Sequence, residues 1–239
     1  MTDDPRATPS RPAAGGGRLT QRTTQLVVGL VLYGVSLGLM VRSGLGTAPW
    51  DVLHVGVAGL VPLSIGTVVV ITSVLVLLAW WPLRERPGPG TVANAVLVGV
   101  FVDVTLVVLP EIESLGVRIV LLVAGVLGNG LATGMYIGAG FGRGPRDGLM
   151  TGLNRVTGLS LRLVRTGLEV SVVVAGVLLG GPLGVGTVAY ALLIGPLSQL
   201  TIPWFDHRRA RPAGSARASR AVQTQQGARR SRDGRPGSS

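Results

Sequence analysis

The chain has 239 residues, of which 47% are hydrophobic and only 14% are charged. This composition excludes an ordinary soluble domain and predicts an all-α polytopic membrane protein, for which the lipid bilayer is the first partner. The absence of cysteine excludes disulfides, thiolate metal sites and cysteine nucleophiles. The formal net charge of +11 comes from arginine, because the sequence contains no lysine.

Both ends of the chain are rich in arginine and lack a hydrophobic period. We expect residues 1–22 and 205–239 to be disordered cytoplasmic tails. The second tail holds nine arginines and two aspartates, and we expect it to lie near anionic lipid headgroups. We do not expect it to bind nucleic acid, because Phe205 is its only aromatic residue. The sequence also leaves open that further copies of the chain form a homo-oligomer.

Apolar runs predict the membrane crossings. Four runs are long enough to cross a hydrocarbon core: 23–41, 63–83, 88–110 and 119–142. A glycine-rich break at 180–184 makes the apolar segment between Glu169 and the break too short to cross. The fifth helix must therefore begin earlier, near Ser160. The apolar residues after the break form a sixth helix. With six crossings, the arginine-rich loops fall inside and both termini are cytoplasmic.

The membrane part is a duplication. An offset of 96 residues aligns residues 24–103 with 120–199, and 26 of these 80 pairs are identical. We therefore divide it into two membrane repeats, 23–111 and 112–204. Because three crossings per repeat is an odd number, the second repeat must be inverted relative to the first, as in many secondary transporters.

A G-x-G-x-x-P-x-D-x-L motif stands at the same place in each repeat. Its glycines and prolines are Gly44, Gly46, Pro49, Gly140, Gly142 and Pro145. The segments that follow, 49–60 and 145–156, are too short to cross, so we expect re-entrant or interfacial helices, one at each face. The glycines favour tight turns over a nucleotide site, because the chain has no Walker lysine. Glycines four residues apart on the preceding helices predict close helix packing: Gly34, Gly38, Gly130 and Gly134.

Six charged residues are candidates for a substrate or ion pathway: Asp51, Asp147, Arg146, Arg165, Glu169 and Asp103. Asp51 and Asp147 fall in the first turn of the short helices, where a carboxylate is stabilised by the helix dipole and caps free N–H groups. The functional alternative is a pair of protonatable gates, one outer and one inner. The positive-inside rule explains Arg146 before any ligand does.

Arg165 and Glu169 lie four residues apart on one helical face within the membrane region. They predict an ion pair, which either locks two helices together or serves a substrate, ion or proton. Their copies in the first repeat are Val69 and Ser73, so the charges belong to one half only, which favours the functional role. Asp103 either caps the outer end of its helix or faces the bundle.

The motifs resemble those of the YczE-like bacterial integral membrane proteins, of the YczE, YyaS and YitT type. The resemblance covers residues 24–203 and is most specific in the block from Gly142 to Met150. It also includes the motif at Gly44, the Arg165 and Glu169 spacing, and Gly186-Thr187-Val188 near Ile194-Gly195-Pro196. It implies a bacterial plasma-membrane protein and no particular reaction.

We expect a small inverted-repeat transporter or permease of an unknown solute. The alternative is a membrane scaffold or regulatory subunit that docks a partner through its basic tail. We expect no enzyme, because no catalytic, cofactor or metal site is visible. His54 lies on an apolar short helix and is expected to be a packed residue, and neither it nor His207 has acidic neighbours at ligand spacing.

Overall fold

The computed structural model describes residues 16–206, which form helices and no β-strand. Eight helices follow one another: α1 (Gly16–Ser43), α2 (Pro49–Ala58), α3 (Ile65–Trp80), α4 (Pro89–Val108), α5 (Leu115–Ala139), α6 (Pro145–Thr157), α7 (Leu161–Leu178) and α8 (Val185–Phe205). The all-α prediction is confirmed for this range. Residues 16–22 belong to α1 and not to the predicted tail. At the other end, Phe205 of the predicted tail is the last residue of α8 and Asp206 follows it. Residues 1–15 and 207–239, with His207, lie outside the described residues.

The helices of the two repeats begin at equivalent positions. Pro49 opens α2 and Pro145 opens α6, as predicted, because a proline at the first helical position leaves no N–H unpaired. Ser64 and Ser160 cap α3 and α7, and each side chain accepts a hydrogen bond from the backbone N–H three residues later. The cap at Ser160 confirms the predicted start of that helix.

Four helices, α1, α4, α5 and α8, are long and apolar enough to cross a membrane, so the chain is a multi-pass membrane protein. The expectation of a full-length span over 63–83 is wrong. α3 has 16 residues, about 24 Å of helix, because the chain turns at 81–84. α7 has 18 residues but carries Arg162, Arg165 and Glu169, and it does not meet the same measure.

α1 and α5 lie side by side and run antiparallel at the centre of the bundle. Gly29 at the middle of α1 lies against Tyr136 near the end of α5, whereas Gly125 in the first half of α5 lies against Met40 near the end of α1. α4 packs on α1, and α8 packs on α5. The predicted packing glycines make these two contacts, which confirms their role: Gly34, Gly38, Gly130 and Gly134.

Each motif loop docks on the other repeat. The backbone N–H of Gly90, at the start of α4, donates to the Phe141 carbonyl at 3.0 Å. The N–H of Gly186, at the start of α8, donates to the Leu45 carbonyl at 2.8 Å. Both carbonyls stand between motif glycines whose φ angles are positive: Gly44 60°, Gly46 112°, Gly140 72° and Gly142 131°. The two repeats are therefore interleaved, with α2 packed on α7 and α6 packed on α3.

Candidate functional site

The first turns of the two short helices meet inside the bundle. Asp51 Oδ1 on α2 lies 3.6 Å from Arg146 Nη2 on α6, and the Arg146 guanidinium lies 5.0 Å from the centre of the Trp50 ring. Trp50 and Arg146 are copies of one another in the duplication. The two motif loops lie at opposite ends of the bundle, as predicted for an inverted pair. The two aspartates are not separated in the same way, because Asp51 contacts the turn that carries Asp147. The prediction of one gate at each face is therefore wrong.

Asp51 is 2% exposed and has a second partner on its own helix. His54 Nδ1 lies 2.9 Å from Asp51 Oδ1, and this nitrogen carries the proton, because a carboxylate only accepts. Asp51 Oδ2 has no hydrogen-bond partner among the described residues. His54 is buried, as predicted. The sequence analysis missed its pairing with Asp51, although the three-residue spacing on a helix was a signal.

Asp147 has a different partner. The hydroxyl of Tyr136 on α5 donates to Asp147 Oδ2, and Asp147 makes no ion pair within residues 16–206. Neither motif aspartate accepts a hydrogen bond from a described backbone N–H, and the N-cap positions Ala48 and Gly144 provide no side-chain cap. The capping interpretation of these aspartates therefore does not account for their position.

Two small cavities flank the meeting point. One has a volume of about 90 Å³ and the other about 50 Å³, and Tyr33, Arg146 and Asp147 line both. Seven wall residues of the smaller cavity are the copies of seven wall residues of the larger: Val69 and Arg165, Ser73 and Glu169, Asn94 and Tyr190, Val98 and Ile194, Gly144 and Ala48, Pro145 and Pro49, and Arg146 and Trp50. We call the larger cavity the central cavity. It differs from the smaller one in having the charged residues Arg165 and Glu169 where the smaller has Val69 and Ser73.

Arg165 and Glu169 form the predicted ion pair on α7, with Nε to Oε1 at 2.8 Å. Arg165 also lines a cavity of about 620 Å³ with Arg143 and Asp206. Glu169 also lines a cavity of about 410 Å³ between α7 and α8. We call the first the inner cavity and the second the outer cavity, after the orientation predicted from the sequence. The pair therefore lies between two wide cavities, in the wall of the narrow central one.

Asp103 lies apart from these cavities. Its carboxylate accepts hydrogen bonds from the Gly66 N–H at 2.7 Å and from the Ser64 hydroxyl at 2.5 Å, at the start of α3. Asp103 therefore caps the start of the neighbouring helix α3, which neither of the two predicted alternatives named. Within residues 16–206 no three acidic or histidine side chains group together as a metal site would require.

Comparison with known proteins places the chain in a family. A family model described as a family of unknown function, DUF6198, matches residues 20–203. An uncharacterized protein of Haemophilus influenzae is 40% identical over 73% of this chain and 80% of its own length. The uncharacterized membrane protein YczE of Bacillus subtilis is 34% identical over 77% of this chain and 87% of its own length.

A second Bacillus subtilis protein, the uncharacterized protein YyaS, is 27% identical over 74% of this chain and 90% of its own length. No solved structure matches the chain significantly. The family match and the relatives agree with the motifs from which the resemblance was inferred. The chain therefore belongs to the DUF6198 family of YczE-like membrane proteins.

Proposed function

We propose that this protein is a small transporter or permease of the bacterial plasma membrane and catalyses no reaction. The long helices α1, α4, α5 and α8 cross the membrane together with the shorter α3 and α7, α2 and α6 enter it as re-entrant half-helices, and both termini are cytoplasmic. The antiparallel α1–α5 pair supports this arrangement, because α5 is the copy of α1 and equivalent helices of inverted repeats run in opposite directions. The binding site then lies where the repeats meet.

The gap between α7 and α8 is the proposed pathway. α3 packs closely on α4, whereas their copies α7 and α8 have no comparable contact. The inner and central cavities share Asp147, Met150 and Arg165 as wall residues, and the central and outer cavities share Pro49 and Glu169. This succession of wide, narrow and wide cavities is the observation that carries the proposal.

The Arg165–Glu169 pair is the proposed constriction. Arg165 faces the inner and central cavities, and Glu169 faces the central and outer cavities. In the proposed pathway the wide cavities on both sides would give water access to this pair, whose side chains are 42% and 21% accessible. An ion pair in contact with water contributes about 0–1 kcal/mol to stability. Opening and closing it therefore costs little, which suits a gate that alternates between the two sides.

Thiol accessibility tests this pathway directly, because the chain has no cysteine. Single cysteines at Thr151 of the inner cavity, Met150 of the central cavity and Ala191 of the outer cavity are exposed to a charged, membrane-impermeant thiol reagent. We expect Thr151→Cys to react from the cytoplasmic side, Ala191→Cys from the outside, and Met150→Cys from either side at a lower rate.

Val100→Cys is the matched control. Val100 lies on the exposed face of α4 and lines none of the three cavities, so lipid should keep its thiol protonated and unreactive. If Met150→Cys and Ala191→Cys are as unreactive as Val100→Cys from both sides, the proposed pathway does not exist.

A further inference from the structure

The central cavity has a cation with unused hydrogen-bond donors. Arg146 is 21% exposed, and its only charged neighbour within ion-pair range in residues 16–206 is Asp51, at 3.6 Å. It makes a cation–π contact with Trp50 and no hydrogen bond to any described residue. A guanidinium has five N–H donors in a planar fork that matches a carboxylate, and leaving them unpaired in a partly buried site is costly. Arg146 is therefore suited to hold a carboxylate.

Trp50 belongs to the wall of the same cavity. It is 6% exposed, and its buried Nε1–H has no hydrogen-bond partner among the described residues. Buried indole N–H groups usually find an acceptor. The Trp50 ring, on which the Arg146 guanidinium lies, thus holds that cation at the cavity wall.

The same cavity contains a carboxylate without a cation. Asp51 has Arg146 and Glu169 has Arg165 as ion-pair partners, whereas Asp147 has only the Tyr136 hydroxyl within the described range. The charges of these side chains therefore leave one negative charge, on Asp147. An isolated carboxylate inside a membrane protein is costly unless it is paired, so Asp147 is suited to hold an ammonium group.

We propose that the central cavity binds a compact zwitterion, with its carboxylate on Arg146 and its ammonium group beside Asp147. This inference rests on the proposed transport function and gives its substrate class. The volume of about 90 Å³ holds about six waters at about 15 Å³ each. That size suits a small amino acid and excludes large side chains.

Equilibrium binding to the purified full-length protein in detergent tests this site. The probes are three zwitterions, glycine, β-alanine and glycine betaine, and the two charged halves of glycine, acetate and methylammonium, all at matched ionic strength. We expect at least one zwitterion to raise the melting temperature and to change the tryptophan fluorescence through Trp50, and neither half to do so. Arg146→Lys keeps the cation but removes the planar guanidinium fork, and Asp147→Asn removes the negative charge. Each should weaken zwitterion binding by about tenfold or more, which corresponds to about 1.4 kcal/mol.

Asp103→Asn removes the same charge outside the cavity and should leave binding unchanged. The zwitterion site is overturned if acetate or methylammonium alone binds as tightly, if none of the three zwitterions binds, or if the folded Arg146→Lys and Asp147→Asn variants bind like the wild type. Binding can be measured without transport, so the two proposals can fail separately. If the cysteines of the pathway react but no zwitterion binds, only the proposed substrate class is wrong. If a zwitterion binds but the cysteines of the pathway do not react, the proposed transport function is wrong.

Discussion

Arg22 and Arg118 make the same contact at opposite ends of the α1–α5 pair. Arg22 Nε donates to the Ala139 carbonyl at 2.9 Å, at the end of α5, and Arg118 Nε donates to the Ser43 carbonyl at 2.6 Å, at the end of α1. The two arginines are copies in the duplication, and so are the two residues that accept. Each guanidinium pairs the last carbonyls of the partner helix, which the helix itself leaves unpaired. The contact also explains why an arginine stands at the proposed outer end of α5.

Removing either arginine should destabilise the bundle by a similar amount. Arg22→Gln and Arg118→Gln should each lower the free energy of unfolding by about 1–3 kcal/mol, because a charged hydrogen-bond donor is lost from a helix end. The double variant should lose the sum, since the two sites lie at opposite ends of the helices. Thermal unfolding in detergent measures this, with Arg162→Gln on α7 as the control. An effect at one end only would contradict the equivalence of the two contacts.

Each short helix packs on a helix of the other repeat through a contact between one small and one larger residue. The Trp80 ring lies against Gly148 where α3 meets α6. Where α7 meets α2, Gly176 is the copy of Trp80 and lies against Val52, the copy of Gly148. Each interface thus has one small residue and a larger partner, and the two repeats place the small residue on opposite helices.

Gly148→Ala should therefore destabilise the protein strongly. Its Cβ would lie 1.9 Å from the Trp80 ring, and such overpacking costs about 1–3 kcal/mol. Gly167→Ala is the matched control, because a Cβ at that helical glycine meets nothing within 4 Å, and alanine is the better helix former by about 1 kcal/mol. The melting temperature should fall for the first variant and hold or rise for the second. Equal responses would rule out the close α3–α6 contact.

The sequence was sufficient for the starts of several helices but not for the site. Pro49, Pro145 and Ser160 mark helix starts because their chemistry is local, and the duplication carries each start to the other repeat. The docking of the Leu45 and Phe141 carbonyls on the opposite repeat depends on residues far apart in the chain, which no local pattern encodes. The pairing of Asp51 with Arg146 escaped prediction for the same reason, since the two motifs were assigned to opposite faces.

The crossing of the membrane by α3 is required for three crossings in the first repeat. Single cysteines are placed before α3 at Pro62 and after it at Arg86, and an impermeant maleimide is added to intact cells. A crossing predicts that Pro62→Cys is labelled in intact cells and that Arg86→Cys is labelled only after permeabilisation. Labelling of both from the same side would mean that this 16-residue helix does not cross, and the proposed topology of six crossings would be wrong.

The first repeat itself provides the variant that tests the constriction. Replacing Arg165 by Val and Glu169 by Ser gives the second repeat the residues found at the equivalent positions Val69 and Ser73. Because both charges are removed together, no unpaired ion remains, and the free energy of unfolding should change by less than about 1 kcal/mol. In this background a thiol reagent applied from the cytoplasmic side should reach Ala191→Cys up to about fivefold faster, the factor given by about 1 kcal/mol of lost barrier. Arg162→Val, on the same helix and outside the pair, should leave the rate unchanged. If the paired variant reacts no faster than this control, Arg165 and Glu169 hold helices together and do not restrict passage.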